Sequence, residues 1–152
     1  GFFRFPGAPG GPAASGTPAL YGPDLDIAMG RGAVEWLPDP LSLHLYARAL
    51  SGELRGLGAR SEMHLYSAGV RLSGPFLSYG DLCLSAYASA GPGWLRSDIG
   101  DATGFDAAAG TQASYGVATG ISLLASLEAQ GFSSDGLSGW GPAALLGLNL
   151  GW

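Results

Sequence analysis

The sequence has little charge and no long hydrophobic run. Only 12% of its 152 residues are charged, about half of the roughly 25% that is usual for a soluble domain. No segment approaches the roughly 20 consecutive apolar residues that a membrane-spanning helix requires, so a helical span is excluded. At the same time 47% of the residues are hydrophobic and the mean hydropathy is +0.22, which argues against water as the only solvent.

Basic residues and cysteine are also scarce. Seven Lys and Arg against twelve Asp and Glu give a formal net charge of −5, which argues against nucleic acid as a partner because phosphates require a basic surface. Cys83 is the single cysteine, so no intramolecular disulfide can form, and no Cys/His cluster has the spacing of a zinc site. The sequence therefore predicts neither a metal nor a cofactor. The chain begins at Gly1 without a signal-peptide pattern, so export is inferred from the body of the chain.

Glycine and proline, by contrast, are abundant. The 27 Gly and 10 Pro would suit a disordered linker, but four Trp, six Tyr and six Phe supply apolar material that disordered chains lack. Many short strands in one domain, residues 1–152, fit this composition better.

Apolar and polar residues alternate with the period of two that is typical of strands. The pattern is clearest at the C-terminus, where Ala144, Leu146 and Leu148 alternate with smaller or polar residues. Strands are predicted over residues 24–37, 41–50, 66–73, 81–90, 114–121, 123–130 and 143–152, with Gly1–Pro6 as a short first strand. We therefore predict an all-β fold, a closed antiparallel up-and-down barrel of about eight strands.

Predicted connections alternate between short and long. Tight turns are expected at 38–40, 74–76 and near Gly120, and longer loops at 7–23, 55–61, 95–112 and 133–140. This alternation is typical of a bacterial outer-membrane barrel with short periplasmic turns, and it places both termini on the periplasmic side. Strand alternation alone does not say which face points inward, so a soluble lipocalin-like carrier with an apolar lumen stays open.

The chain resembles the small eight-stranded outer-membrane β-barrel proteins of Gram-negative bacteria. The most specific part is the end, Gly147-Leu148-Asn149-Leu150-Gly151-Trp152, which is similar to the C-terminal signal recognised by the outer-membrane insertion machinery. Leu145 departs from the polar residue that is usual there. The resemblance implies an integral outer-membrane protein in contact with lipid and lipopolysaccharide.

Two sets of side chains follow from this architecture. Aromatic residues near strand ends predict interfacial girdles, formed by Trp36, Phe76, Tyr79 and Trp152 at the periplasmic rim and by Trp94, Phe132 and Trp140 at the outer rim. Polar residues on the opposite strand faces predict a hydrogen-bonded lumen network, formed by His44, Arg48, Arg71, Asp81, Tyr87, Glu128, Gln130 and Asn149.

No convincing catalytic set is evident. There is no Gly-x-Ser-x-Gly elbow, and no Ser/His/acid group has a persuasive spacing; His64 is interpreted as a solvated rim residue. Asp98, Asp101 and Asp106 lack the ligand order of a calcium loop and are interpreted as a solvated surface loop. Cys83 is interpreted as an inert lumen residue.

We therefore expect a non-enzymatic protein with a structural or interaction role, as an envelope anchor or a subunit of an outer-membrane assembly. Its partners would be other envelope proteins or copies of itself, because Ala88, Ala90, Ala125, Ala129 and Gly131 make part of the wall smooth. The alternative is a narrow channel through the lumen, or a lipid-modifying outer-membrane enzyme.

Overall fold

A computed structural model describes residues 20–29, 37–56, 59–98, 100–134 and 137–150, and within these ranges the fold is all-β, as predicted. The described residues form seven strands and no helix. The strands are β1 (Leu20–Ala28), β2 (Ser42–Gly56), β3 (Ala59–Tyr79), β4 (Leu82–Ser97), β5 (Gly100–Ala118), β6 (Ile121–Ser134) and β7 (Leu137–Leu150). Gly1–Pro6, the predicted first strand, lies outside the described residues.

The seven strands form one sheet that closes on itself. Consecutive strands pair antiparallel, and the ring closes where β1 pairs with β7 in parallel, from Leu20 opposite Ala143 to Ile27 opposite Leu150. Parallel closure follows from the odd number of described strands, because the first and last of seven up-and-down strands run in the same direction. The start of β1 and the end of β7 therefore lie at opposite ends of the ring.

The two ends of the ring differ in their connections. We call the end that carries the β3–β4 and β5–β6 turns the lower end, and the end that carries the β2–β3, β4–β5 and β6–β7 connections the upper end. Two glycines with positive φ lie in the lower turns, Gly80 at 56° and Gly120 at 74°, a conformation that favours glycine. The turns expected near Gly120 and at Pro38–Pro40 are present.

The turn expected at Gly74–Phe76 was wrong. β3 continues to Tyr79, and the chain reverses at Gly80 and Asp81. Proline is tolerated in a strand at a bulge, and the pairing of β3 with β4 shifts register between Pro75 and Leu77.

The longer loops expected at the upper end were also wrong over the described residues. β4 extends to Ser97 and β5 starts at Gly100, so most of the 95–112 segment lies in paired strands. The same holds for the described parts of 55–61 and 133–140. The small residues of these segments favour loops, but pairing with the hairpin partner strand keeps the segments extended.

Strand alternation separates an inner and an outer face. On β4, for example, Ser85, Tyr87 and Ser89 are buried, while Ala86 and Ala88 are exposed. The inner face is polar through the middle of the ring and apolar toward the upper end. The apolar part is a cluster made of Leu20, Leu50, Met63, Leu65, Leu95, Phe132, Ala143 and Leu145.

Candidate functional site: a charged interior, an apolar wall and a polar rim

Two arginines organise the charged interior. Arg71 on β3 is fully buried and donates to two carboxylates of β1, with 2.6 Å to Asp24 Oδ2 and 2.7 Å to Asp26 Oδ2. Its guanidinium also lies 4.6 Å from the centre of the Tyr87 ring. His44 Nδ1 lies 3.1 Å from Asp26 Oδ1, which adds a third group to this side of the network.

Arg48 on β2 connects the opposite side. It donates to Glu128 on β6, to Ser89 Oγ on β4 at 2.6 Å, and to Gln130 at 3.3 Å. Tyr87 also donates its hydroxyl to Glu128. Because these bonds join strands that are not neighbours in the ring, the side chains cross the lumen and obstruct it.

Asp106 extends the network to β5. It is completely buried and accepts hydrogen bonds from the side-chain amide of Gln130 and from the Tyr46 hydroxyl, the latter at 3.4 Å. Arg48 stacks on Tyr46 at 4.4 Å. Buried charges are tolerated only when they are paired and hydrogen-bonded, and this interior meets that condition for both arginines.

The structure brings together six of the eight residues predicted for the lumen. His44, Arg48, Arg71, Tyr87, Glu128 and Gln130 are buried in the interior. Asp81 does not join them, because it lies exposed at the β3–β4 turn. Asn149 faces the interior half-buried, and its Oδ1 has no hydrogen-bond partner among the described residues.

Sequence reasoning missed three interior acids. Asp24 and Asp26 alternate with Leu25, so strand parity was a usable signal. Asp106 was assigned to a solvated surface loop, but it points into the ring while Asp98 and Asp101 stay exposed. Among the described residues no group of three or more His, Cys, Asp or Glu side chains can hold a metal ion.

Four of the seven residues predicted for the aromatic girdles lie on the outside of the ring. Phe76 and Tyr79 are exposed toward the lower end, and Trp94 and Trp140 are exposed toward the upper end. Phe132 was placed wrongly: it is only 3% exposed and belongs to the apolar cluster inside the ring. It has the same strand parity as Glu128 and Gln130, which explains its direction. Trp36 and Trp152 lie outside the described residues.

The outer wall carries an apolar band. From Trp94 down to Leu82 every outward side chain of β4 is apolar, and no outward side chain at the same height on the other described strands is charged. The twelve steps from Leu82 to Trp94 span about 40 Å along the strand at about 3.3 Å each. A strand tilt of about 40° gives a band height of about 30 Å, which matches the hydrocarbon thickness of a bilayer.

A row of side chains with polar groups lies on the outer face, and on β3 and β4 it is one outward step above Tyr66 and Trp94. Its members are paired in register across five strands, in the order Tyr21, Ser51, His64, Arg96 and Asp101. Ser51 Oγ lies 2.9 Å from His64 Nδ1. We call these five residues the rim row. His64 was expected at the rim. Its pairing with Ser51 was not foreseen, because that pairing depends on the register between β2 and β3.

Cys83 lies half-buried near the lower end. Its thiol is 3.6 Å from the hydroxyls of Ser78 and Ser85. Both contacts are local to the β3–β4 hairpin.

Comparison with known protein families, with curated proteins and with solved structures gives no match to this chain. No helix of the described residues has the length and apolar character to cross a membrane.

Proposed function

We propose that this protein is an integral β-barrel of a bacterial outer membrane, with a structural or interaction role in the envelope. The observation that carries the proposal is the distribution of polarity. The charged side chains Arg48, Arg71 and Asp106 are buried inside the ring, while leucines and alanines cover the outside. A soluble lipocalin-like carrier would need the reverse arrangement, an apolar lumen and a polar exterior.

The outer wall supports a lipid environment in more detail. Leu127 and Leu146 are 68% and 72% exposed, and both lie within the apolar band. Burial of apolar surface stabilises a protein by about 25 cal/mol per Å², so a band of this size in water would be a strong driving force for association. Contact with lipid hydrocarbon removes the band from water without any protein partner. Ring closure also leaves no open sheet edge in the lipid.

The smooth part of the wall supports contact with other envelope proteins. Ala88, Ala109 and Ala129 form one row across β4, β5 and β6, and Ala90, Ala107 and Gly131 form the next. Small side chains permit close approach of a neighbouring surface in a membrane. Other envelope proteins and copies of this chain are therefore the partners we propose, together with the insertion machinery during biogenesis.

An eighth strand and periplasmic termini belong to the same proposal. Both require Gly1–Pro6 to enter the wall, and the present ring of seven strands closes without it. The C-terminal signal is also part of the proposal: Gly147 faces inward, and Leu148 and Leu150 lie on the outward face of β7.

Membrane residence is tested by fractionation and heat-modifiability. We expect the protein to fractionate with the outer membrane, to require detergent for extraction, and to migrate differently on a detergent gel before and after boiling. The shift is expected because a closed hydrogen-bonded ring resists the detergent until it is heated. Protein that is soluble without detergent and shows no mobility shift would contradict the proposal. Extraction as a monomer without a co-purifying protein would count against the interaction role.

The channel alternative is tested by planar-bilayer recordings. We expect no steady conductance, because Arg48, Glu128 and Ser89 are linked across the lumen and the apolar cluster fills its upper part. Steady conductance that disappears in Glu128→Ala would contradict the structural role and support a narrow channel.

A further inference from the structure

The rim row contains a pair of side chains with the chemistry of a nucleophile and a base. Ser51 and His64 are directly opposite each other on β2 and β3, and the Ser51 hydroxyl is within hydrogen-bond distance of His64 Nδ1. In the tautomer protonated at Nε2, the hydroxyl donates this bond and Nδ1 can accept its proton. Nδ1 here takes the place of the Nε2 nitrogen that accepts the serine proton in the serine–histidine–aspartate triad, and a serine bonded to a base is activated for attack on an acyl group.

The pair also has a defined height on the wall. Ala49 and Tyr66 are the next outward pair toward the lower end, and Tyr66 is opposite Trp94 of the aromatic girdle. In a membrane these aromatic rings lie at the headgroup level. Ser51 and His64 would then lie at or just above the level where the ester bonds of membrane lipids are found.

Two apolar grooves in the wall are lined by direct neighbours of Ser51, although neither Ser51 nor His64 lines them. One groove, of about 680 Å³, runs over the β1–β7 seam and is lined by Leu25, Leu148 and, at its β2 side, Ala49. Ser51 follows Ala49 on the same face of β2. The second groove, of about 800 Å³, includes Tyr21, the residue opposite Ser51 on β1. Both volumes lie within the range of roughly 300–1,000 Å³ that is usual for ligand sites.

Charged neighbours complete the surroundings. Arg96 is opposite His64 on β4 and is exposed on the same face, where a guanidinium can bind a lipid phosphate or a developing oxyanion. Glu53 and Glu62 are opposite each other one outward step further toward the upper end. They place carboxylates on the same face as the imidazole of His64.

We propose that the rim row is an acyl-ester hydrolase site for membrane lipids, a proposal that rests on the membrane location proposed above. Ser51 Oγ attacks the ester carbonyl carbon and its proton passes to His64 Nδ1. The carbon–oxygen bond to the lipid alcohol breaks, and the leaving oxygen takes that proton. Water then attacks the acyl-serine, giving one proton to His64, and the carboxylic acid leaves as Ser51 recovers its hydrogen. This activity departs from the sequence-based expectation that the protein is not an enzyme.

The experiment measures fatty acid release from vesicles. Purified protein, folded in detergent and showing the heat-dependent mobility shift, is mixed with phosphatidylethanolamine vesicles in one arm and with the same vesicles carrying lipopolysaccharide in the other. Mass spectrometry then quantifies free fatty acid. The two arms distinguish glycerophospholipid esters from lipopolysaccharide esters as the source of the acyl chain. A fluorophosphonate probe, which reacts with activated serines, is used in parallel to label the protein.

We expect release in at least one arm and labelling at Ser51. Ser51→Ala and His64→Ala should each lower the release rate by about 100-fold or more. Ser133→Ala is the matched control, since Ser133 is an exposed serine of the same end that is opposite Ser138 instead of a histidine; its release rate should stay within about twofold of the wild type.

Three outcomes would overturn the site. Folded protein that releases no fatty acid in either arm would do so while leaving the membrane proposal intact. Release that persists in Ser51→Ala would place the activity elsewhere. A chain that neither shows the mobility shift nor binds vesicles would overturn the membrane proposal, and this site with it.

Discussion

Arg71 is the residue on which the interior charge balance depends most. It is completely buried and its two terminal nitrogens are each bonded to a different carboxylate of β1. Its removal would leave Asp24 and Asp26 as two buried carboxylates with His44 as the remaining basic neighbour of Asp26. A buried charge that loses its partner destabilises the fold strongly, because desolvation is no longer compensated.

Arg71→Met is therefore expected to lower the free energy of unfolding by about 3–5 kcal/mol. The measurement is a urea titration of the folded protein monitored by tryptophan fluorescence. Arg96→Met is the control, since Arg96 is exposed at the rim and its loss should change the free energy by no more than about 0.5 kcal/mol.

A second variant keeps this prediction informative. Adding Asp24→Asn and Asp26→Asn to Arg71→Met removes the unpaired charges, so part of the lost stability should return. If Arg71→Met cost no more than Arg96→Met, the buried ion pairs would not contribute as described.

Much of the interior was accessible from sequence at the residue scale. Strand parity alone places Arg48, Arg71 and Glu128 on the face opposite the leucines, and the structure puts them inside. Strand parity also places Phe132 on the same face as Glu128. Its position near a strand end led instead to the girdle prediction, which was wrong. The pairing of Ser51 with His64 was beyond sequence reasoning, because it depends on the register between β2 and β3.

At the element scale the critical feature is the seam between β1 and β7. β1 is the shortest described strand, with 9 residues, and it contains Pro23, which cannot donate to the ladder. Glycine permits the two backbones to approach closely there. A Cβ atom on Gly147 would lie 2.0 Å from the carbonyl oxygen of Asp24, which no relaxed structure tolerates.

Gly147→Ala is expected to destabilise the ring by about 1–3 kcal/mol, since overpacking forces the backbone to shift. Loss of the closing pair should also lower the temperature at which the gel mobility changes. Gly131→Ala on neighbouring β6 is the matched control, because the nearest atom to its added Cβ would be 3.7 Å away. Equal midpoints for the two variants in the same urea titration would contradict the close approach at the seam.

The sequence located the strands better than it located their ends. Each of the seven predicted strands after Gly1–Pro6 has a counterpart among β1–β7, because alternation is a property of the strand itself. The ends were misjudged because Gly, Ser and Asp favour loops in isolation. In residues 100–112 ladder pairing with β4, and from Phe105 onward also with β6, outweighs that preference, and such pairing is a long-range property.

At the scale of the whole molecule, the account depends on which solvent meets the outer wall. The ring buries its charges and exposes its leucines, and between the aromatic residues of the two ends the described wall has no charged side chain. Sequence alternation predicted two faces but not their directions. Ring closure and the strand pairing gave the directions, and hydrocarbon is the solvent that suits an outside of this composition.

The most direct test places a charge in the middle of the wall. Leu127 is opposite Thr111 near mid-height of the apolar band and is 68% exposed. In lipid, Leu127→Arg should lower the free energy of unfolding from vesicles by about 2–4 kcal/mol. Ser133→Arg, above the band at the upper end, should cost at most about 1 kcal/mol. In water an exposed leucine tolerates the change to arginine within about 0.5 kcal/mol. The predicted result is a large loss of unfolding free energy for Leu127→Arg and a small loss for Ser133→Arg. Two equally small losses, or folding without vesicles or detergent, would contradict a lipid-facing wall.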